Sequence, residues 1–290
     1  MFAKRNQQTI AGPTAVCGVG YWSGRDVRVE FCPAPIDTGI VFLRTDLPGD
    51  PRIPATIGYR AEAARRTNLR CGSAQVDMIE HVMSALAGLR IDNCEIRVDQ
   101  AEMPGCDGSS LEFVKAIDAM GIVQQAAIRP RRIIRKLVRV GTRDSWIEAG
   151  PCCSGKTLLH YDLDYGPGSA IGRQSFETAL APDVFRSEIA PCRTFLLAEE
   201  AEVLRQRGLG HRATMRDLLV FDSNGPIDNP LRFRDECVRH KTLDLIGDLA
   251  LAGCDLIGRF TAYRSGHQLN AELVEAVLAQ DQETRIKRCA

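Results

Sequence analysis

The chain has 290 residues, 44% hydrophobic and 26% charged, a composition that excludes a disordered polypeptide and predicts a globular protein with a real core. Its 37 basic and 37 acidic side chains cancel, so no global field points to nucleic acid or an anionic membrane as partner. No apolar run approaches the ~20 residues that cross a bilayer. The stretch "MFAKRNQQTIAGPTAV" lacks the apolar core of a secretory signal. Eleven cysteines with no C-x-x-C pair read as reduced thiols. A cytoplasmic setting is the expectation.

In chain order, residues 26–35 and 39–50 alternate apolar and polar side chains as half-buried strands do, each running into Pro/Gly turn chemistry. Residues 76–89 place Ile79, Val82, Met83 and Leu86 at helical spacing. "CEIRVDQ" reads as a strand, and residues 109–121 as a helix closed by Gly121. Residues 123–140 carry six basic side chains between Arg129 and Arg139. A phosphate-binding patch is one reading; a linker running into an edge strand with an exposed basic face is the plainer one. Strands follow at 135–140, 144–149 and 156–165. After an irregular Gly-rich stretch come a short helix at 183–189, a helix at 197–208 and a strand at 217–222. A long helix starts from Asn229-Pro230, as cap and first turn, and stops at Gly253. A strand at 256–263 and a helix at 268–288 follow. No residue-level repeat is present. Both halves nevertheless set helices beside a mostly antiparallel sheet, which predicts an α+β protein of two similar units packed together.

Within the long helix, His240, Asp244 and Asp248 stand four residues apart. Each step turns about 40°, so they draw a polar line about 12 Å long, beside the apolar Leu243, Leu245, Ile246 and Leu249. A His and an Asp at this spacing can share one metal ion. Imidazole and carboxylate suit Zn²⁺, given a third protein ligand and an open position for water. The same spacing also serves a surface ion pair. The other histidines are His81, His160, His211 and His267. His81 follows Glu80 at a helix start, where Asp77 and Glu80 resemble a capping box. His160 lies in a strand, His211 in a loop, and His267 at a Gly-containing entry into a helix. Spacing alone does not choose among them.

The segments "IEHVMSALAGLRIDN", "RFRDECVRHKTLDLIGDL" and "FTAYRSGHQLN" resemble those of the UDP-3-O-acyl-N-acetylglucosamine deacetylases, zinc amidases of lipid A biosynthesis. "PAPIDTGIVFLRTDL", "MPGCDGSSLEFV" and "SEIAPCRTF" extend the resemblance, in order, over nearly the whole chain. It implies two α+β domains, 1–127 with Glu80 and His81 and 128–290 with the rest, and an active site at their interface. Each domain would carry a small insertion, the second, near 195–221, forming an apolar passage for the acyl chain.

By the same resemblance, His81, His240 and Asp244 would hold Zn²⁺, and Glu80 would be the general base. His267 would be the general acid, held by Asp248, and Thr194 would face the oxyanion. Lys241 would meet the diphosphate and Asp164 with Tyr165 the uridine. Phe195 would line the substrate site, and Arg264 would keep a cation there where lysine is common. The implied reaction releases acetate from a UDP-linked acylated amino sugar. A monomer without stable membrane insertion or nucleic acid is the expected form. The alternative is a divergent paralogue, either a zinc amidase for another N-acetylated sugar or a non-catalytic ligand binder. Four departures bear on it: Trp22 stands where His is usual, Met78 where Thr is usual, Arg264 where Lys is common, and Arg212-Ala213-Thr214 replace a Gly-Gly-Ser stretch. None is a metal ligand or a proton-transfer group.

Overall fold

A computed structural model describes the backbone of residues 4–289 and the side chains of residues 4–280. The first half runs β1 (Asn6–Ile10), β2 (Thr14–Val19), β3 (Asp26–Pro33), β4 (Ile40–Arg44) and β5 (Arg52–Pro54). Then come β6 (Arg60–Ala61), β7 (Asn68–Cys71), β8 (Ala74–Val76), α1 (Glu80–Gly88), β9 (Cys94–Val98), α2 (Leu111–Met120) and β10 (Ile122–Ile128). Alternation builds its main sheet: in β3, Val27, Val29 and Phe31 are buried while Asp26 and Arg28 face outward. The order is β2-β3-β9-β4-β5, and only the central β4 and β9 run parallel.

The second half runs β11 (Arg131–Ile133), β12 (Val138–Gly141), β13 (Trp146–Gly150), β14 (Thr157–Asp164), β15 (Arg173–Ala179) and α3 (Pro182–Val184). It continues through β16 (Phe195–Leu197), α4 (Ala198–Gln206), β17 (Leu219–Phe221), α5 (Glu236–Leu249), β18 (Asp255–Tyr263) and α6 (His267–Cys289). Its main path is β12-β13-β18-β14-β15, with β14 and β18 parallel at the centre and β11 beside β18. The two halves therefore share one plan: two hairpins, with the last strand inserted between them, and a helix on either side of that strand in sequence. Each half also carries an excursion before its first long helix. It is the small sheet β6-β7-β8 before α1, and the β16-α4-β17 unit before α5.

α1 and α5 meet where the halves join. α1 is buried on almost every side, as its continuous apolar run requires. The crossing is close because Gly247 sits in it. A Cβ there would lie 2.2 Å from the carbonyl oxygen of Glu80, so a glycine tolerates what any side chain would block.

Several expectations are corrected. Residues 123–128, the start of the stretch read as linker, belong to β10 and pair antiparallel with β1. The basic run follows the plainer reading, leading into the edge strand β12 with Arg135, Lys136 and Arg139 exposed. Arg129 binds Asp92 at 2.9 Å, Arg132 donates to the carbonyls of Val277 and Leu278, and Arg139 lies over Trp146 at 3.7 Å. α5 starts at Glu236 rather than at Asn229-Pro230, because the Asn229 side chain binds Arg193 and the Met215 carbonyl instead of capping. Its end was legible: a single 3-10 turn leads to Gly253 at φ 68°. Among the described residues, no helix is long and apolar enough to cross a membrane.

Candidate metal centre

His240 and Asp244 lie one turn apart on α5, and His81 enters from the start of α1, in the other half of the molecule. All three are buried. His240 Nε2 stands 3.3 Å from Asp244 Oδ1 and His81 Nε2 stands 3.7 Å from the same oxygen. One ligand atom from each lies within 4.8 Å of the other two. Ligands about 2.0–2.1 Å from a tetrahedral ion are themselves roughly 3.3–3.4 Å apart, so the cluster has nearly the size a divalent cation requires. Asp244 Oδ1 is moreover buried with no hydrogen-bond partner among the described residues, a costly state that a cation would relieve. His240 donates Nδ1–H to the Cys192 carbonyl at 3.1 Å, which leaves the Nε2 lone pair facing the cluster.

Electrostatics agree with that use. Burial, and then the neighbouring His240, push His81 down to about 3. Burial also lowers His240. Burial alone would raise Asp244, but His240 and Lys241 outweigh it and hold the carboxyl well below the ordinary range. At neutral pH the chain thus offers two uncharged imidazoles and one carboxylate, the protonation states a metal needs.

Glu80 opens α1, and no side chain caps the helix there, so the capping-box reading of Asp77 and Glu80 is overturned. Glu80 turns inward instead, its Oε2 accepting the Thr67 N–H at 2.9 Å. Burial, reinforced by Asp244 and Asp248 and opposed by His267, pushes its carboxyl up to about 7. Met78, just before it, takes φ 58°, a left-handed turn unusual for a long side chain. His267, at the start of α6, is held at Nδ1 by Asp248 Oδ2 at 2.9 Å, while its Nε2 lies 4.0 Å from Glu80 Oε1. Burial works to lower its pKa, but Asp248 outweighs this and lifts it to about 9.

These groups sit on the wall of one cavity of about 1020 Å³. Glu80, His81, Thr194, His240, Lys241, Asp244 and His267 line it, as do Asp164, Tyr165, Phe195 and Arg264. Asp248 stands behind His267, outside the lining. Lys241 Nζ donates to Asp244 Oδ2 at 2.6 Å. Asp164 Oδ2 accepts from Arg173 at 2.9 Å and from the Tyr263 hydroxyl at 3.1 Å. Tyr165 is exposed and meets Phe195 edge-on, ring centres 5.8 Å apart. The apolar lining of the cavity includes Leu196, Leu204, Leu209, Met215 and Val220 from the β16-α4-β17 excursion. Trp22 and Met78 line it too, as do Ala213 and Thr214, whereas Arg212 turns away to bind Asp26 at 2.9 Å.

Four supporting residues were missed. Arg193 and Glu236 form a fully buried pair, Nε to Oε1 at 2.7 Å, tying the segment with Cys192 and Thr194 to the start of α5. Thr67 and Asn270 both donate to the Asp248 carboxylate. Only Glu236, a charge opening an apolar helix, and Asn270, one turn beyond His267, left any trace in the sequence.

Residues 7–279 match the family model of the UDP-3-O-acyl N-acetylglycosamine deacetylases (LpxC). The chain belongs to this family. It is 38% identical over 277 residues to proteins named UDP-3-O-acyl-N-acetylglucosamine deacetylase from Brucella ovis, Brucella canis and Brucella suis, an overlap of 95% of this chain and 96% of each relative. The deacetylase relatives thus cover both halves, the cluster and both excursions together.

Proposed function

We propose that this chain hydrolyses the N-acetyl group of UDP-3-O-acyl-N-acetylglucosamine, giving acetate and the free amine, as a zinc amidase of lipid A biosynthesis in the cytoplasm. The observation that carries the reading is the convergence of His81, His240 and Asp244 on one point, with Glu80 and His267 beside it on the same cavity wall. Membership of the deacetylase family supports the substrate.

Zn²⁺ held by His81, His240 and Asp244 would polarise the acetamide carbonyl and make a water more acidic. Glu80 is the base: its carboxylate, raised toward neutrality by burial, takes the proton from the attacking water. Thr194, on the cavity wall, would supply a hydroxyl to the carbonyl oxygen as negative charge develops. His267, kept charged by Asp248, gives the Nε2 proton to the departing nitrogen as the C–N bond breaks. Lys241 supplies positive charge toward the diphosphate, and Arg264 adds a second cation on the same wall. Asp164 accepts hydrogen bonds from the uracil or ribose while Tyr165 offers an aromatic face, and Phe195 borders the acyl end.

Metal content by mass spectrometry, combined with acetate release from UDP-3-O-acyl-N-acetylglucosamine, tests the reading. About one zinc per chain together with acetate release is expected. Zinc without acetate release from this substrate overturns the substrate and leaves the metal centre standing.

A further inference from the structure

Thr67 is 1% exposed and stands just before β7, in the first half of the molecule. Every polar group it owns is spent on the site. Its N–H donates to Glu80 Oε2 at 2.9 Å, and its carbonyl accepts the N–H of Ile79, the residue before α1, at 3.1 Å. Its hydroxyl donates to Asp248 Oδ1 at 2.6 Å and lies 3.2 Å from His267 Nδ1. Asp248 and His267 come from the second half, on α5 and α6.

A hydroxyl has one proton to give. With that proton on Asp248, Thr67 presents only lone pairs to His267. Nδ1 must then be a donor, its N–H shared between Asp248 Oδ2 at 2.9 Å and Thr67 Oγ1. Nε2, on the cavity side, is left as the nitrogen that can exchange a proton with substrate. Asn270 completes the Asp248 carboxylate at 2.8 Å, but it belongs to the same helix as His267 and fixes nothing across the halves.

We propose that Thr67 is a positioning residue. Its N–H sets the Glu80 carboxylate and its hydroxyl sets the Asp248–His267 pair, so that the base of one half and the acid of the other are held in one register. This rests on the proton-transfer roles assigned above.

The test uses the full-length zinc-loaded protein with two variants. Thr67→Val keeps the shape and the backbone N–H but loses the hydroxyl; Thr67→Ser keeps the hydroxyl. For Thr67→Val, kcat for acetate release should fall roughly tenfold, the usual loss when a partner behind a reacting group is removed. KM and zinc content should stay near wild type, and Thr67→Ser should restore kcat. A second readout is independent of turnover: solvent exchange of the His267 Nδ1 proton by NMR, assigned with His267→Gln. It should be about tenfold faster in Thr67→Val than in wild type. Wild-type kcat and exchange in Thr67→Val overturn the proposal. So does a Thr67→Ser protein as impaired as Thr67→Val, since packing of the methyl group would then be the cause. If the wild type releases no acetate, the functional reading fails while the exchange comparison still decides the role of Thr67.

Discussion

The Glu80 carboxyl and the His267 imidazole stand 4.0 Å apart, and the proposed base and acid both respond to Asp248. Replacing Glu80 with Gln keeps the shape and the hydrogen bond from Thr67 but removes the proton acceptor. Acetate release should drop by about 10²–10⁴-fold while zinc stays bound; loss of zinc together with activity would make Glu80 a ligand instead. Asp248→Asn addresses the acid. His267 must be protonated to donate, so activity falls as pH rises through its pKa, which Asp248 holds above the usual histidine range. Without that carboxylate charge the pKa drops, and the alkaline limb of kcat/KM should move to lower pH by roughly 1–3 units. An unmoved limb would mean that another group sets it. At this scale the sequence displayed the His240–Asp244–Asp248 line through spacing alone, whereas His81 had a local alternative that only tertiary structure removed. Thr67 left no signal, because its role rests on a backbone N–H and a hydroxyl whose partners come from distant parts of the chain.

The close crossing of α1 and α5 sets the distance between His81 and the other two proposed ligands, His240 and Asp244. Gly247→Ala should gain about 1 kcal/mol of helix propensity. Yet the added Cβ would stand 2.2 Å from the Glu80 carbonyl oxygen and 2.9 Å from its carbon, and backbone atoms cannot swing aside as a side chain can. The helices must part, at a cost of about 1–3 kcal/mol or more. Thermal unfolding should therefore begin several degrees lower, with kcat reduced as Glu80 and His81 shift. A melting temperature equal to or above wild type would show that the crossing has slack. Elements with one buried face were legible, such as β3 and β14, where Leu159, Tyr161 and Leu163 alternate inward. β10 and β15 were not, since Gln124 and Gln125 in one and Arg173, Gln174 and Ser175 in the other dilute the apolar alternation of edge positions. The true start of α5 was hidden for another reason: the buried Arg193–Glu236 pair draws Asn229 away from the capping role its neighbour Pro230 advertises.

The two halves repeat a strand order without repeating a sequence, so each half needs the other to cover the helix it presents. Among the links that join them, two are unlike in kind. Arg5 bridges Asp92 and Asp255 at 2.6 Å each, an ionic link between the halves, and the candidate metal centre draws His81 from one half and His240 with Asp244 from the other. The first needs no ion, so removing the metal should loosen the interface without separating the halves. The second makes stability depend on free metal by mass action: an ion present at about 1,000 times its dissociation constant adds about 4 kcal/mol to folding. Chelation should accordingly abolish acetate release and lower the melting temperature in one cooperative transition, and Zn²⁺ should restore both. Mg²⁺ should restore neither, because a site with two imidazoles and one carboxylate favours zinc over a hard, oxygen-seeking ion. Calorimetry across a series of buffered free-zinc concentrations reads the slope directly. A melting temperature that ignores free zinc while activity follows it would place the reactive ion somewhere other than between α1 and α5.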